Sequence, residues 1–196
     1  MKIAVLAVQG AFAEHIDKLH KLDADCIELR QASDLKQDFD GLILPGGEST
    51  VQGKLLRELH MFESLRDKII NGLPVLGTCA GLILLAQEIS NDERTYFGTL
   101  PVRVRRNAYG RQLGSFHTEQ EMAGIGKVPM TFIRAPYIEE VFKDESGHVT
   151  SEVLAEVDGK IVAVRYGNQI GTAFHPELDE DDRIHEKFLS LAAGNG

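Results

Sequence analysis

An open, mostly parallel α/β sheet flanked by helices is the fold this sequence predicts, and three observations carry the prediction. Short, continuous apolar runs alternate with segments of helical period through the first half of the chain. Stops at Gly10, Pro45-Gly46-Gly47 and Asn71-Gly72 separate the two kinds of segment. In the second half the pattern changes to partly alternating strands joined by two-residue turns, which adds an antiparallel section to the sheet. With 196 residues, 43% of them hydrophobic, the chain can bury one substantial core, and residues 1–196 are read as a single domain.

Residues 3–8 are apolar throughout, as a strand buried on both faces must be. After Gly10, residues 11–22 place Phe12, Ile16 and Leu19 at helical spacing. A second strand fits residues 26–29, and a third Leu42-Ile43-Leu44. Residues 55–70 carry Leu55, Leu56, Leu59, Phe62, Leu65 and Ile69 at helix period, predicting one helix closed by the C-cap chemistry of Asn71-Gly72. Gly53 stands where a helix former is expected and weakens the first turn. Val75-Leu76 opens a fourth strand, with a helix over residues 82–89 after it. Residues 99–105, 130–134 and 153–157 then alternate in part. Asp158-Gly159 is a hairpin signal before residues 161–166, and Gly167-Asn168 a second turn before residues 169–174. Asp179 to Asp182 forms an acidic start to a final helix ending near Ala193.

The net charge of −9 argues against a nucleic-acid partner, which needs clustered Lys and Arg. The apolar run at the N-terminus is too short for a signal segment, and no run approaches the ~18 apolar residues of a membrane span. Two cysteines make neither a disulfide framework nor a paired metal site, and the expected location is the cytoplasm.

The most informative stretch is V-L-G-T-C-A-G-L, residues 75–82. Gly77-Thr78-Cys79-Ala80-Gly81 fits glycine-x-nucleophile-x-glycine between a predicted strand and a predicted helix, the flanking glycines allowing a turn where a Cβ would clash. Such an elbow lifts Cys79 above the carboxyl end of the sheet, where open α/β folds place ligands. A helix start behind it favours thiolate over thiol and offers the Ala80 N–H to a developing oxyanion. The bland reading of the same window is a small buried residue in a tight turn. Cys26, in Asp25-Cys26-Ile27-Glu28-Leu29, reads as strand filling.

A thiol nucleophile needs a base, and the base an orienting group. Of seven histidines, His15, His20, His60 and His185 fall on helix-like segments and are read as surface residues. His148 falls in a polar loop, and His117 has no acid at a persuasive spacing. His175 differs: it ends an apolar strand, Pro176 fixes the chain after it, and Glu177 follows. In extended backbone, residues two apart face the same way, so Glu177 can reach the ring, fix its tautomer and stabilise the imidazolium. The other reading is a surface histidine beside a turn glutamate; with Cys79 present, a Cys-His-Glu triad is preferred. Base precedes acid along the chain, the reverse of the serine-type α/β-hydrolase order.

Together, G-T-C-A-G, the earlier P-G-G-E-S-T and the later F-H-P-E resemble the class I (triad) glutamine amidotransferase family. V-Q-G-A-F-A-E-H near the start, with R-N-A-Y-G-R-Q and F-I-R-A-P later, narrows the resemblance to glutaminase subunits of pyridoxal 5′-phosphate synthase, from Lys2 to the final helix. The resemblance implies a flavodoxin-like sheet and hydrolysis of L-glutamine to glutamate through a glutamyl-thioester. It also implies ammonia passed to a separate synthase subunit in a large hetero-oligomer, with no cofactor and no metal. Carried over by motif, Cys79 is the nucleophile, His175 the base and then acid, and Glu177 the orienting group. Gly47, Glu48 and Ser49 match the substrate and oxyanion loop; Gly47 and Ala80 would face the oxyanion, Glu48 and Ser49 the α-ammonium. Arg106, and Arg134 with Ile133, match glutamine-binding positions, and a guanidinium suits an α-carboxylate; Arg105 beside Arg106 leaves open which side chain turns inward. The resemblance further implies a lone subunit with little activity until its partner docks, a change the adjacent Gly46 and Gly47 can accommodate at low backbone cost. A non-enzymatic module binding a ligand at the same sheet edge is the alternative; it has no need of Cys79.

Overall fold

The computed structural model describes residues 1–107 and 114–194. Its elements run β1 (Lys2–Leu6), α1 (Phe12–Lys21), β2 (Asp25–Leu29), a 3-10 turn at Ala32–Lys36, β3 (Gly41–Leu44), α2 (Ser49–Glu58) and α3 (Phe62–Ile70). There follow β4 (Val75–Thr78), α4 (Ala80–Leu85), β5 (Ala86–Ile89), β6 (Leu100–Arg105), β7 (Ser115–Met122), β8 (Gly126–Ile133) and β9 (Tyr137–Val141). The chain finishes with β10 (Glu152–Val157), β11 (Lys160–Tyr166), β12 (Gln169–Thr172), a second 3-10 turn at Pro176–Leu178, and α5 (Arg183–Ala192).

Among the described residues one large sheet runs β2-β1-β3-β4-β12-β11-β9-β6-β5, with β10 paired to β11. The first five strands of that order are mutually parallel, and β11, β9 and β10 add the predicted antiparallel section. Parallel strands covered on both faces must be apolar throughout, and β3, β4 and β12 are buried at every position. Their side chains join those of α1 to α5 in one core cluster. A separate hairpin, β7 with β8, lies against β10 and the Pro176–Leu178 turn. Asp158 and Gly159 both take positive φ (50° and 72°), the two-residue turn that suits the twist of β10 and β11.

The structure departs from the sequence reading at three places in the first half of the chain. The helix expected over residues 55–70 is two helices. The first starts earlier, at Ser49, and ends at Glu58 in a Schellman motif: His60 sits at φ 55°, its N–H donates to Arg57 O, and the Met61 N–H donates to Leu56 O. The break hides in sequence because histidine, not glycine, takes the left-handed position. At Asn71-Gly72 the same motif has its usual glycine (φ 96°) and was legible. The helix expected over residues 82–89 instead gives α4 and then β5, which pairs with β6; the apolar run over residues 80–86 carries no period to mark where the helix stops, and the strand after it exposes Gln87 and Glu88. Thirdly, Gly53 does not disturb α2. A Cβ there would run into the ring of Tyr96, so the glycine serves packing between α2 and the segment before β6. The strands β5, β7 and β9 were not foreseen. In β7 exposed polar residues dominate the eight positions, which mutes the strand signal.

Candidate active site

Strands β1, β3, β4 and β12 lie side by side and point the same way, so the segments leaving their carboxyl ends converge on one edge. Those segments carry Gln9, Gly46-Gly47, Cys79 and His175. At the centre, Cys79 adopts φ 50° and ψ −99°, a conformation that costs a non-glycine residue about 1–3 kcal/mol. Its surroundings enforce it: the Cys79 N–H donates to Thr172 O at 2.8 Å. The flanking glycines act by close approach rather than by turning, since neither takes a positive φ. A Cβ on Gly77 would lie 2.8 Å from the carbonyl carbon of Gly81, and one on Gly81 would strike Leu44 O.

His175 is anchored through its backbone N–H, which donates to Thr131 O at 2.8 Å across to β8. Pro176 then begins the 3-10 turn, and this tight turn, not extended backbone, brings Glu177 back to the ring. His175 Nδ1 and Glu177 Oε1 are 2.7 Å apart. Burial opposes charge on the His175 imidazole, yet hydrogen bonding to Cys79 and Glu177, with their negative charge, raises its pKa to about 10. Glu177 is fully buried in its side chain. Burial works against its charge, but the facing imidazoles of His15 and His175 hold its pKa below the usual carboxylate value. Cys26 contrasts with this setting: burial, then Asp25 and Glu28, push its thiol up to about 11.

A cavity of about 300 Å³ opens over Cys79 and His175, and Gly47, Glu48, Ser49, Arg106, Ile133 and Arg134 all line it. Every substrate residue implied by the sequence motifs is therefore at one mouth. The loop is tied down around Gly47, because the Ala11 N–H donates to Gly46 O at 2.9 Å and the Glu48 N–H to Gln9 Oε1 at 2.8 Å. Gln52 Nε2 reinforces it by donating to Gln9 O and Pro45 O. Among the described residues the N–H groups of Gly47 and Ala80 have no acceptor, and the buried Ser49 hydroxyl has no partner. Arg106 is held by Asp92 at 2.6 Å and Glu48 at 3.1 Å, whereas Arg105 turns to Glu139 and away from the cavity. Arg134, at φ 42°, makes no ion pair among the described residues. R-N-A-Y-G-R-Q is described only at Arg106 and Asn107; its last five residues lie outside the described residues.

Two of the histidines read as surface residues are instead fully buried. His15 and His185 each have 0% exposure, and His15 stands behind Glu177 with Nε2 3.4 Å from Oε2. The helical spacing of His15 gave no sign of this, because its burial depends on α5 packing against α1 from the far end of the chain. His117 bonds Thr131 on the hairpin and does not line the cavity. Asp92, the anchor of Arg106, was not foreseen either; it lies 14 residues away in sequence with no motif around it.

Comparison with known proteins gives a consistent result. The profile of the SNO glutamine amidotransferase family matches residues 5–192. The "Pyridoxal 5'-phosphate synthase subunit PdxT" of Desulfitobacterium hafniense (strain DSM 10664 / DCB-2) is 64% identical over 194 residues, covering 99% of this chain and 94% of the relative. That of Streptococcus pneumoniae (strain CGSP14) is 53% identical and covers 97% of each. A crystal structure described as a glutamine amidotransferase superposes with a TM-score of 0.90 at 41% identity, covering 97% of this chain and 98% of the other.

Proposed function

The chain belongs to the SNO glutamine amidotransferase family, and from that premise we propose that it hydrolyses the side-chain amide of L-glutamine with Cys79, His175 and Glu177. The observation that carries this reading is the strained Cys79 at the elbow, in one cavity with an imidazole that Glu177 holds at 2.7 Å. His175 retains its proton near neutral pH, because its pKa lies at about 10. Sγ of Cys79 attacks the amide carbon, and the developing oxyanion receives the Gly47 and Ala80 N–H groups, which have no acceptor among the described residues. His175 passes its proton to the departing nitrogen, the C–N bond breaks, and ammonia leaves a glutamyl-thioester on Cys79. Water then gives a proton to His175 as its oxygen attacks the thioester carbon. Collapse releases glutamate and returns the electron pair to sulfur.

Recognition of the substrate's α-carboxylate falls to Arg134, which has no acid partner among the described residues, with Arg106 held near it by Asp92. Glu48 and Ser49 meet the α-ammonium. The similarity to subunits of pyridoxal 5′-phosphate synthase supports a synthase subunit as the acceptor of the ammonia. Docking of that subunit would act on the Gly46–Glu48 loop, whose ties to Gln9 and Ala11 connect it to the start of α1. The test is release of glutamate from glutamine with and without the synthase subunit. Stimulation of at least about tenfold is expected, and Cys79→Ala should be inactive while still binding the partner. Wild-type turnover by Cys79→Ala would refute the triad.

A further inference from the structure

Behind the triad, away from the cavity, three buried side chains form a chain of contacts that the reaction as written does not use. His15 of α1 sits with Nδ1 2.9 Å from His185 Nε2 of α5. Its Nε2 lies 3.1 Å from Thr78 Oγ1 and 3.4 Å from Glu177 Oε2. Oε2 of Glu177 is buried and, although His15 Nε2 stands 3.4 Å away, has no hydrogen-bond partner among the described residues; neither has His185 Nδ1.

Only one arrangement of protons fits these contacts well. If His15 carried its proton on Nδ1, its bare Nε2 could accept from the Thr78 hydroxyl but would turn a lone pair towards the carboxylate, and His185 would hold an orphaned N–H on Nδ1. With the proton on Nε2, His15 donates towards Thr78 and Glu177 and accepts from the Nε2–H of His185. The unpaired atom is then a bare imidazole nitrogen, which costs less to bury than an unpaired N–H.

We propose that His15, held in this tautomer by His185, is a positioning residue whose Nε2–H faces the second oxygen of Glu177 across 3.4 Å. The carboxylate then has an imidazole facing each oxygen, bonded at Oε1 and 3.4 Å away at Oε2, which opposes its rotation away from His175. The proposal rests on the triad reading. Burial, opposed only in part by the Glu177 charge, holds His15 below its usual pKa, and burial with the neighbouring His15 pushes His185 down to about 3, so both shifts favour the neutral rings. The other charges around the cluster are Glu14, Asp17, Lys18 and Lys21 on α1 and Asp182 before α5. Lys18 and Lys21 both pair with Asp182.

Replacing His15 removes a group that favours the Glu177 anion, so the carboxylate protonates at higher pH and His175 loses its partner there. The His15→Phe variant keeps a ring but no donor. With synthase subunit present, its kcat should fall about tenfold, as when a partner orienting a catalytic ligand is lost. The KM for glutamine should stay unchanged, and the acid limb of the kcat profile should move up by about one pH unit. His15→Gln, which keeps a donor where Nε2 stood, should restore most of the rate and the acid limb. Nitrogen-15 NMR of histidine-labelled wild-type protein reads the tautomer without any substitution, and in the neutral form of His15 the proton is expected on Nε2. A proton on Nδ1 would overturn the proposal, as would a folded His15→Phe with wild-type kcat and acid limb while Cys79→Ala is inactive. Full turnover by Cys79→Ala would instead remove the triad reading and this proposal with it.

Discussion

The back and the front of the cavity are built in different ways. At the back, Cys79, His175, Glu177, His15 and His185 are nearly or wholly buried, and the Cys79–Thr172 and His175–Thr131 backbone hydrogen bonds tie the nucleophile and the base to neighbouring chain segments. At the front, Gly47, Glu48 and Arg134 are exposed; the Gly47–Glu48 loop is held by the Gln9 and Gln52 side chains, and Arg106 beside it by Asp92. The lesson is a division of labour. Groups that must keep their protonation and alignment sit at the carboxyl ends of strands or on helices packed behind them, where buried neighbours over-determine them. Groups that must admit substrate and answer to a partner sit where a few hydrogen bonds can be exchanged.

Breaking the back should have the largest effect. Cys79→Ala and His175→Asn should each lower glutamine turnover by at least about 10⁴-fold, since nucleophile and base act as a unit; Glu177→Gln should cost less, because it removes orientation and charge compensation only. Steady-state assays with partner present measure this, and an active His175→Asn would erase the distinction between back and front. Next comes the loop. A side chain at Gly47 would press on Gln9 Oε1 at 2.5 Å and on Gly10 Cα at 3.0 Å, so Gly47→Val should displace the oxyanion donor and lower kcat by about 10²–10³ without unfolding the protein, as circular dichroism would show.

Removing an arginine at the mouth should act on binding instead. Arg134→Ala should raise the KM for glutamine about tenfold or more, the loss of a charge-assisted hydrogen bond, and glutamine amidated at its α-carboxylate should be a poor substrate for the wild type. Equal turnover of both compounds would take Arg134 out of the site. The two thiols sharpen the contrast further. With the Cys26 thiol held up at about 11 by burial, limited iodoacetamide treatment should label Cys79 first, and peptide mapping that finds Cys26 labelled first would count against it.

The smallest effect concerns stability. His185 is pushed down from 6.5 to about 3 when folded, so the unfolded chain binds the extra proton between those values and stability falls as pH falls below 6.5. This one group should cost roughly 2 kcal/mol between pH 6.5 and 5. His175 works in the opposite window, its contribution complete below 6.5 and lost as pH rises towards about 10. Urea denaturation at pH 5, 6.5 and 8.5 should therefore find the highest stability near 6.5, and a stability that keeps rising towards pH 5 would contradict the neutral burial of His185.

Local chemistry determined what the sequence could disclose by itself. Continuous apolar runs marked β1, β3 and β4, the Asp158-Gly159 pair marked the β10–β11 hairpin, and glycines around Cys79 marked the elbow. His175 and Glu177 were legible because their partnership spans two residues, although a 3-10 turn rather than extended backbone joins them. Tertiary structure alone decided whatever depends on residues far apart in the chain. Arg106 is held by Asp92 and Glu48, Gly53 makes room for Tyr96, and the run after Cys79 turns from helix to strand because β6 offers a partner for β5. His15 shows the reason most plainly. An amphipathic helix specifies that one face is buried, but which polar group on that face finds a buried carboxylate and a second imidazole is settled only when α1, α5 and the turn after β12 pack together.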